Sequence, residues 1–267
     1  MIKYGKIPES WLFVPCSERF LSKPDGIKYA DNVIFDLEDS LKPSEKEKGL
    51  ELLCSAMKEG RPSADQGVFV RLNKDRLEKE IKSLKDLDID GFMLPKFEDT
   101  GDIDEYRTLI GKKKIVPLVE TCRGIIGLER FAEDERICAI ALGGEDYCAG
   151  LGVETNDDAL IMARSRIVLY AKAAGKTAID TISTQYRDTA LFEEELNRSA
   201  AFGFDGKLMI HPAQTKVSHE LQKSVPREIL ESIIKEFESR KEGAVMINGR
   251  LYKRPHIERL KKIIKGE

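Results

Sequence analysis

The chain reads as an α/β protein, a closed barrel of eight strand–helix units followed by a C-terminal helical extension. Three observations predict this. Eight short apolar, β-branched runs recur along the first 211 of the 267 residues. None alternates polar with apolar, which is how parallel strands read when both faces are covered. Longer amphipathic stretches separate the runs, the pattern of βαβ units. The competing doubly wound open sheet lacks its mark: no G-x-G-x-x-G turn follows the first run, and no G-x-x-x-x-G-K-[ST] loop occurs. Eight is the number that closes a (β/α)8 TIM barrel.

In chain order the strand-like runs are 12–15 (LFVP), 32–36 (NVIFD), 68–73 (VFVRLN) and 91–96 (GFMLPK), then 115–120 (IVPLVE), 137–142 (ICAIAL), 177–180 (TAID) and 206–211 (GKLMIH). Helical patterns lie between them, among others over 44–58, 75–87, 104–109 and 157–174. After His211 the pattern changes. Residues 227–241 and 256–265 read as helices around 243–249 (GAVMING), which resembles a hairpin edge. The simplest division is a barrel over 1–215 and an extension over 216–267, packed outside the barrel or on a neighbouring subunit.

Composition narrows the function classes. With 44 Lys+Arg against 47 Asp+Glu, the chain lacks the basic excess of a dedicated nucleic-acid binder. No apolar run approaches the ~20 residues needed to span a bilayer. Its five cysteines (Cys16, Cys54, Cys122, Cys138, Cys148) are scattered, with no C-x-x-C pair, so a reducing compartment is expected. No secretory signal is visible in the opening MIKYGK. A cytoplasmic globular protein is expected, with no membrane and no nucleic-acid partner.

Barrel active sites lie where the C-terminal ends of the strands converge. Those ends are unusually charged here: Asp36, Glu38 and Asp39, Arg71 and Asn73, Lys96, Glu120, Glu145 and Asp146, Asp180, and His211. Glu120 and Asp146 close adjacent strands and suit a hard cation such as Mg²⁺, which takes carboxylate oxygens and keeps several waters. The Gly143–Gly144 pair before Glu145 lets backbone approach a ligand closely. Arg71 interrupts an apolar strand; its planar fork fits a substrate carboxylate or enolate oxygen, or else an ion pair with Asp36 or Glu38. Three acids at 36, 38 and 39 repel one another, which raises the proton affinity of at least one and suits a general base. Lys96 reads either as a partner of these acids or as a substrate ligand. No G-x-S-x-G is present, and Cys16 is a poor candidate nucleophile.

Several segments together are similar to one family. In order they are 11–17 (WLFVPCS), 19–23 (RFLSK), 33–39 (VIFDLED), 70–73 (VRLN), 94–96 (LPK) and 119–124 (VETCRG), then 143–146 (GGED), 163–166 (ARSR), 203–212 (GFDGKLMIHP) and 243–245 (GAV). The chain resembles the citrate lyase β-subunit-like proteins of the HpcH/HpaI aldolase superfamily, over nearly its full length. That resemblance implies a (β/α)8 barrel assembled as a homo-oligomer, a trimer or hexamer. It implies Mg²⁺-dependent cleavage or formation of the carbon–carbon bond of a 3-hydroxyacyl-CoA thioester, with an α-oxo acid and an acyl thioester as partners. By position it makes Glu120 and Asp146 the metal ligands and Arg71 the residue that binds the oxo acid. Arg19 and Lys23 then face the phosphates of coenzyme A. Asp36, Glu38 and Asp39 form the acidic strand end beside the metal, and Lys96, Gly144, Glu145 and His211 complete the substrate surface. Sister-branch aldolases carry a His two residues after the equivalent of Glu38; its absence favours the thioester-lyase branch over the alternatives, a metal-dependent aldolase of free pyruvate or oxaloacetate with an aldehyde, or a noncatalytic or carrier-dependent subunit. Two positions depart from the family: Cys16 replaces the usual Gly of the first loop, and Lys253 stands where a C-terminal acid is common.

Overall fold

The computed structural model describes residues 7–21, 26–223, 227–240 and 242–265, apart from the side chain of residue 102. The chain divides into two compact units, Pro8–His219 and a C-terminal one that begins at Glu220. The first is a closed barrel of parallel strands in sequential order. These are β1 (Glu9–Pro15), β2 (Asn32–Asp36), β3 (Gly67–Arg71), β4 (Gly91–Leu94), β5 (Lys114–Val119), β6 (Ala139–Leu142), β7 (Thr177–Asp180) and β8 (Gly206–Met209). All eight expected runs are strands, and β1 pairs with β8 to close the ring.

Both strand faces are buried, which is why the runs do not alternate. Trp11, Ile34, Phe69, Met93, Val116 and Leu208 belong to one apolar cluster. Their strand neighbours Leu12, Val33, Val68, Val70 and Phe92 are buried as well. Burial of this kind is the dominant favourable term in folding, at roughly 25 cal/mol per Å² of apolar surface.

Helices follow the strands as the amphipathic stretches require. Lys46–Glu59 buries Leu50, Leu53 and Met57, and Asp157–Ala173 buries Leu160, Ala163 and Ile167. Two expectations need correcting. The pattern over 75–87 is a 3₁₀ turn, Lys74–Arg76, then a helix limited to Leu77–Leu84. The one over 104–109 is two short helices, Gly101–Asp104 and Arg107–Ile110, separated by a turn in which the Tyr106 N–H donates to Ile103 O.

The C-terminal unit has its own core, including Leu230, Phe237, Val245, Tyr252, Ile257 and Leu260. Its helices, Arg227–Ser239 and Arg254–Lys265, flank a hairpin of β9 (Ala244–Ile247) and β10 (Arg250–Lys253). Asn248 and Gly249 both have positive φ, the two-residue turn that matches the twist of a hairpin. No described helix is long and apolar enough to cross a membrane.

Candidate active site

Register places the first charged group. Asp36 ends β2 and pairs in the sheet with Arg71 at the end of β3. The Arg71 Nε donates to Asp36 Oδ1 at 2.7 Å and its Nη2 to Oδ2 at 2.8 Å, a bidentate fork on a buried carboxylate. Nη1 faces Glu38 Oε2 at 3.0 Å and Asp39 Oδ2 at 3.3 Å. Behind the guanidinium lies the Phe13 ring, 4.7 Å from Cζ. The backbone N–H groups of Glu38 and Ser40 also donate to Asp36. Burial alone would raise the Asp36 carboxyl, but Arg71 and these donors hold it below the ordinary range.

Glu38 is in the opposite condition. Burial, and then the adjoining Asp39 and Asp36 charges, overcome the pull of Arg71 and push its carboxyl up to about 7. Its Oε2 is buried and makes no well-aligned hydrogen bond. Asn73, another strand-end polar residue, serves the scaffold: it donates to Glu80 through N at 2.8 Å and Nδ2 at 2.6 Å, and to Leu37 O.

The second group sits across the mouth. Glu120 follows β5, and its Oε1 accepts the Lys96 backbone N–H at 2.7 Å. Lys96 holds that N–H in place with a left-handed φ of 50°. Burial raises the Glu120 carboxyl to about 7 against this hydrogen bond, with help from Asp146 and Glu38. Gly143 follows β6 beside it: a Cβ there would lie 2.4 Å from Glu120 Oε2. At Gly144 a Cβ would lie 2.7 Å from Thr181 Oγ1, which accepts the Gly144 N–H at 2.9 Å. The two glycines therefore let the helix Gly144–Leu151, with Glu145 and Asp146 in its first turn, begin directly against the strand ends.

Most of these groups border one cavity of about 310 Å³, which Glu38 and Asn73 do not line. Its polar wall contains Asp36, Asp39, Arg71, Glu120, Glu145 and Asp146. Phe13, Leu118, Leu142, Ile182, Leu208 and Ile210 supply the apolar part of the same lining. Lys96 stands at the edge, its Nζ 3.9 Å from Asp146 Oδ2. Arg19 is exposed, with its guanidinium 5.4 Å from the Phe20 ring; Lys23 lies outside the described residues. His211 does not line the cavity. Its Nδ1 accepts the Ala213 N–H at 3.1 Å, and its ring stacks on Tyr186. Cys16 is buried, and burial followed by the Asp36 charge raises its thiol far above the usual range, against a nucleophilic role.

Strand-end reasoning missed Ser40, Thr181 and the apolar wall. Their signal was parity, since Phe13 and Pro15, like Leu118 and Glu120, are two apart and point to one side of a strand.

The donor set fits a hard divalent cation. Glu120 and Asp146 offer carboxylate oxygens to the same space, and among the described residues no group of three or more His, Cys, Asp or Glu forms a closed metal cage. Mg²⁺ typically takes one or two carboxylates and completes its shell with water and substrate.

The chain is similar to known proteins over most of its length. The sequence profile of the HpcH/HpaI aldolase/citrate lyase family matches residues 9–212. The β subunit of citrate lyase from Haemophilus influenzae is 31% identical, covering 97% of this chain and 96% of its own length. A (3S)-malyl-CoA thioesterase from Cereibacter sphaeroides is 28% identical over 93% of this chain and 90% of its own. Among solved structures, the citrate lyase β subunit of Mycobacterium tuberculosis complexed with oxaloacetate and magnesium has a TM-score of 0.67 and 27% identity. That match covers 80% of this chain and 96% of the other. With its closed barrel, its acidic mouth and these matches, the chain belongs to the HpcH/HpaI aldolase/citrate lyase family and is a carbon–carbon lyase.

Proposed function

We propose that this enzyme is a Mg²⁺-dependent lyase that cleaves or forms the C2–C3 bond of a 3-hydroxyacyl-CoA thioester of the citryl-, malyl- or citramalyl-CoA kind, with an α-oxo acid and an acyl thioester as its partners. The observation that carries this reading is that one cavity holds both a pair of hard oxygen ligands, Glu120 and Asp146, and the Arg71 cluster. Relatives support it: the Mycobacterium tuberculosis β subunit was solved with oxaloacetate and magnesium, and the Cereibacter sphaeroides enzyme is named for malyl-CoA.

Glu120 and Asp146 would hold the ion, leaving positions for water and substrate oxygens. Bound magnesium supplies Lewis-acid stabilisation of the charge that develops on the oxo-acid oxygens. Asp36 fixes Arg71 through the bidentate pair, leaving one Nη2 N–H of a preorganised guanidinium to meet a substrate oxygen. Asp36 itself, held ionised by that pair, orients and does not move protons. The acidic strand end takes the hydroxyl proton: Asp39 lines the cavity, and Glu38, which does not line it, has a carboxyl near 7 that exchanges protons at neutral pH. As this acidic cluster takes the C3 hydroxyl proton, the C2–C3 bond breaks and its electron pair enters the thioester enolate. Protonation at C2 then gives the acyl thioester, while C3 leaves as the oxo acid. Asp39 supports Arg71. Arg19 and Lys23 meet the coenzyme A phosphates, and Lys96, Gly144, Glu145 and His211 border the bound thioester. A cytoplasmic homo-oligomer, trimer or hexamer, belongs to the same proposal.

The test is release of oxo acid from a panel of 3-hydroxyacyl-CoA thioesters by the purified chain. Cleavage should stop with a chelator and return with Mg²⁺; full activity of Glu120→Ala and Asp146→Ala would overturn the metal assignment. Activity indifferent to coenzyme A would instead select an aldolase of free oxo acid and aldehyde. The word subunit in the name of the Haemophilus influenzae relative favours a second reading, an acyl group presented on a carrier protein. In that case the chain alone is silent on coenzyme A thioesters.

A further inference from the structure

The cavity walls bear on which oxo acid fits, a question that rests on the function proposed above. Among its described lining residues Arg71 is the one cation, against five carboxylates: Asp36, Asp39, Glu120, Glu145 and Asp146. Most of the Arg71 donors are already engaged, Nε and Nη2 by Asp36 and Nη1 by Glu38 and Asp39. What remains serves one oxygen of a ligand. Together with a cation on Glu120 and Asp146, that would satisfy the C1 carboxylate and keto oxygen common to all α-oxo acids; for a second carboxylate the described lining then offers the uncharged Ser40 and Thr181 hydroxyls and no second cation.

Beside these groups, the lining residues that follow β7 and lie on or after β8 are largely apolar. Leu208 is fully buried, Ile182 partly so, and Ile210 is 39% exposed at the rim. Leu142 and Phe13 continue the wall. A substituent on the keto carbon that turns toward this wall gains if it is alkyl and is penalised if it is charged, because a desolvated carboxylate without a donor loses its hydration for nothing. Turned the other way, it meets acids that Arg71 and the cation do not fully compensate, Glu145 among them.

We propose that the oxo-acid half is a monocarboxylate carrying a short alkyl group on the keto carbon, the pyruvate type, and that Ile182, Leu208 and Ile210 select it against dicarboxylates such as oxaloacetate. One methylene in such a pocket is worth about 10–200-fold, so a misplaced charge disfavours oxaloacetate by at least about tenfold.

The experiment is calorimetric titration of the Mg²⁺-loaded full chain with pyruvate, 2-oxobutyrate, oxaloacetate and 2-oxoglutarate, repeated on Ile210→Lys. This position is at the rim, so the variant is expected to keep the wild-type Tm. Pyruvate and 2-oxobutyrate binding at least tenfold tighter than both dicarboxylates, with the ratio narrowed or reversed in Ile210→Lys, supports the proposal. Oxaloacetate binding as tightly as pyruvate, or a ratio unmoved by Ile210→Lys, overturns it and leaves the lyase reading intact. Binding of none of the four overturns both.

Discussion

Two charged clusters end strands on different sides of the barrel, and they are built to opposite rules. At β7 and β8, Asp180 is 1% exposed and is met by Arg164 at 3.0 Å, Lys207 at 3.4 Å and the Ser199 hydroxyl at 2.5 Å. Lys207 in turn donates to Thr181 O at 2.7 Å. Burial favours the neutral acid, yet these partners hold Asp180 below the ordinary carboxylate range. At β2 to β6, five carboxylates (Asp36, Glu38, Asp39, Glu120, Asp146) share two cations among the described residues, Arg71 and the rim-bound Lys96. There Glu38 and Glu120 are both pushed up to about 7. A balanced cluster is a fastener; an unbalanced one stores a demand for a proton or a cation, which is what a reaction site requires. A buried ion pair by itself is weak evidence for function, and the excess charge is the informative part.

The sharpest way to break this comparison is to remove the central cation of each cluster. Arg71→Met strands the buried Asp36, a loss of about 3–5 kcal/mol when one partner goes, whereas Lys207→Met leaves Asp180 with Arg164 and Ser199 and costs less; both are read as a drop in Tm. Activity per folded molecule should separate them. Arg71→Met is expected to lose at least about 10²-fold, the scale of deleting a transition-state charge stabiliser, and Lys207→Met should stay within a few-fold. Equal effects on kcat would erase the distinction.

Next in size is Gly143→Ala. Its methyl group would lie 2.4 Å from Glu120 Oε2, so the carboxylate must move. A misplacement of about 1 Å can cost about 10²-fold in rate, while the overpacking itself costs roughly 1–3 kcal/mol. Loss of Mg²⁺-dependent activity should therefore exceed what the Tm change explains, and wild-type kcat in this variant would show that Glu120 has no fixed position to keep.

The clusters also differ in pH. Glu38 and Glu120 have folded values raised from 4.5 to about 7. Between those limits the native state binds more protons than the unfolded chain, so metal-free stability falls as pH rises through that window. Asp180 and Asp36 are lowered from 3.8; their contribution is present above that value and is lost as pH falls through their folded values. Thermal melts of the metal-free protein should show the first slope, flattened in Glu120→Gln and opposed by added Mg²⁺. A Tm that instead rises from pH 4.5 to 7 without metal would contradict the charge excess.

The smallest expected effect is at Lys96. Glycine tolerates its left-handed φ, relieving roughly 1–2 kcal/mol of strain. The half-exposed pair with Asp146 is worth about 0–1 kcal/mol. Lys96→Gly should thus change the Tm little and keep the backbone donor to Glu120. A large loss of activity would show that the ammonium itself contacts the substrate.

Much of this was legible in the sequence. β2 (Asn32–Asp36) and β7 (Thr177–Asp180) coincide with their apolar runs, because a strand buried on both faces writes itself as a continuous apolar segment. The strand-end rule collected Asp36, Arg71, Glu120 and Asp146, which the fold brings to one cavity. It also collected Asp180 and Asn73, which serve the scaffold. The rule reports only that a side chain ends a strand, not what stands beside it. The apolar wall was illegible for a related reason: Phe13 and Leu208 look like any other core residue until the barrel closes and leaves them facing a void.

Periodicity, turn chemistry and strand-end charge determined the barrel, the hairpin-bearing extension and the location of the chemistry, since these depend on spacing along the chain. The tertiary structure decided which acids are neutralised and which are left wanting. That depends on register, which sets Asp36 against Arg71, and on the distances at which Lys207 reaches Asp180 while no side-chain cation reaches Glu120 among the described contacts. Electrostatic energy falls with separation and grows with burial, and neither quantity is written in a sequence.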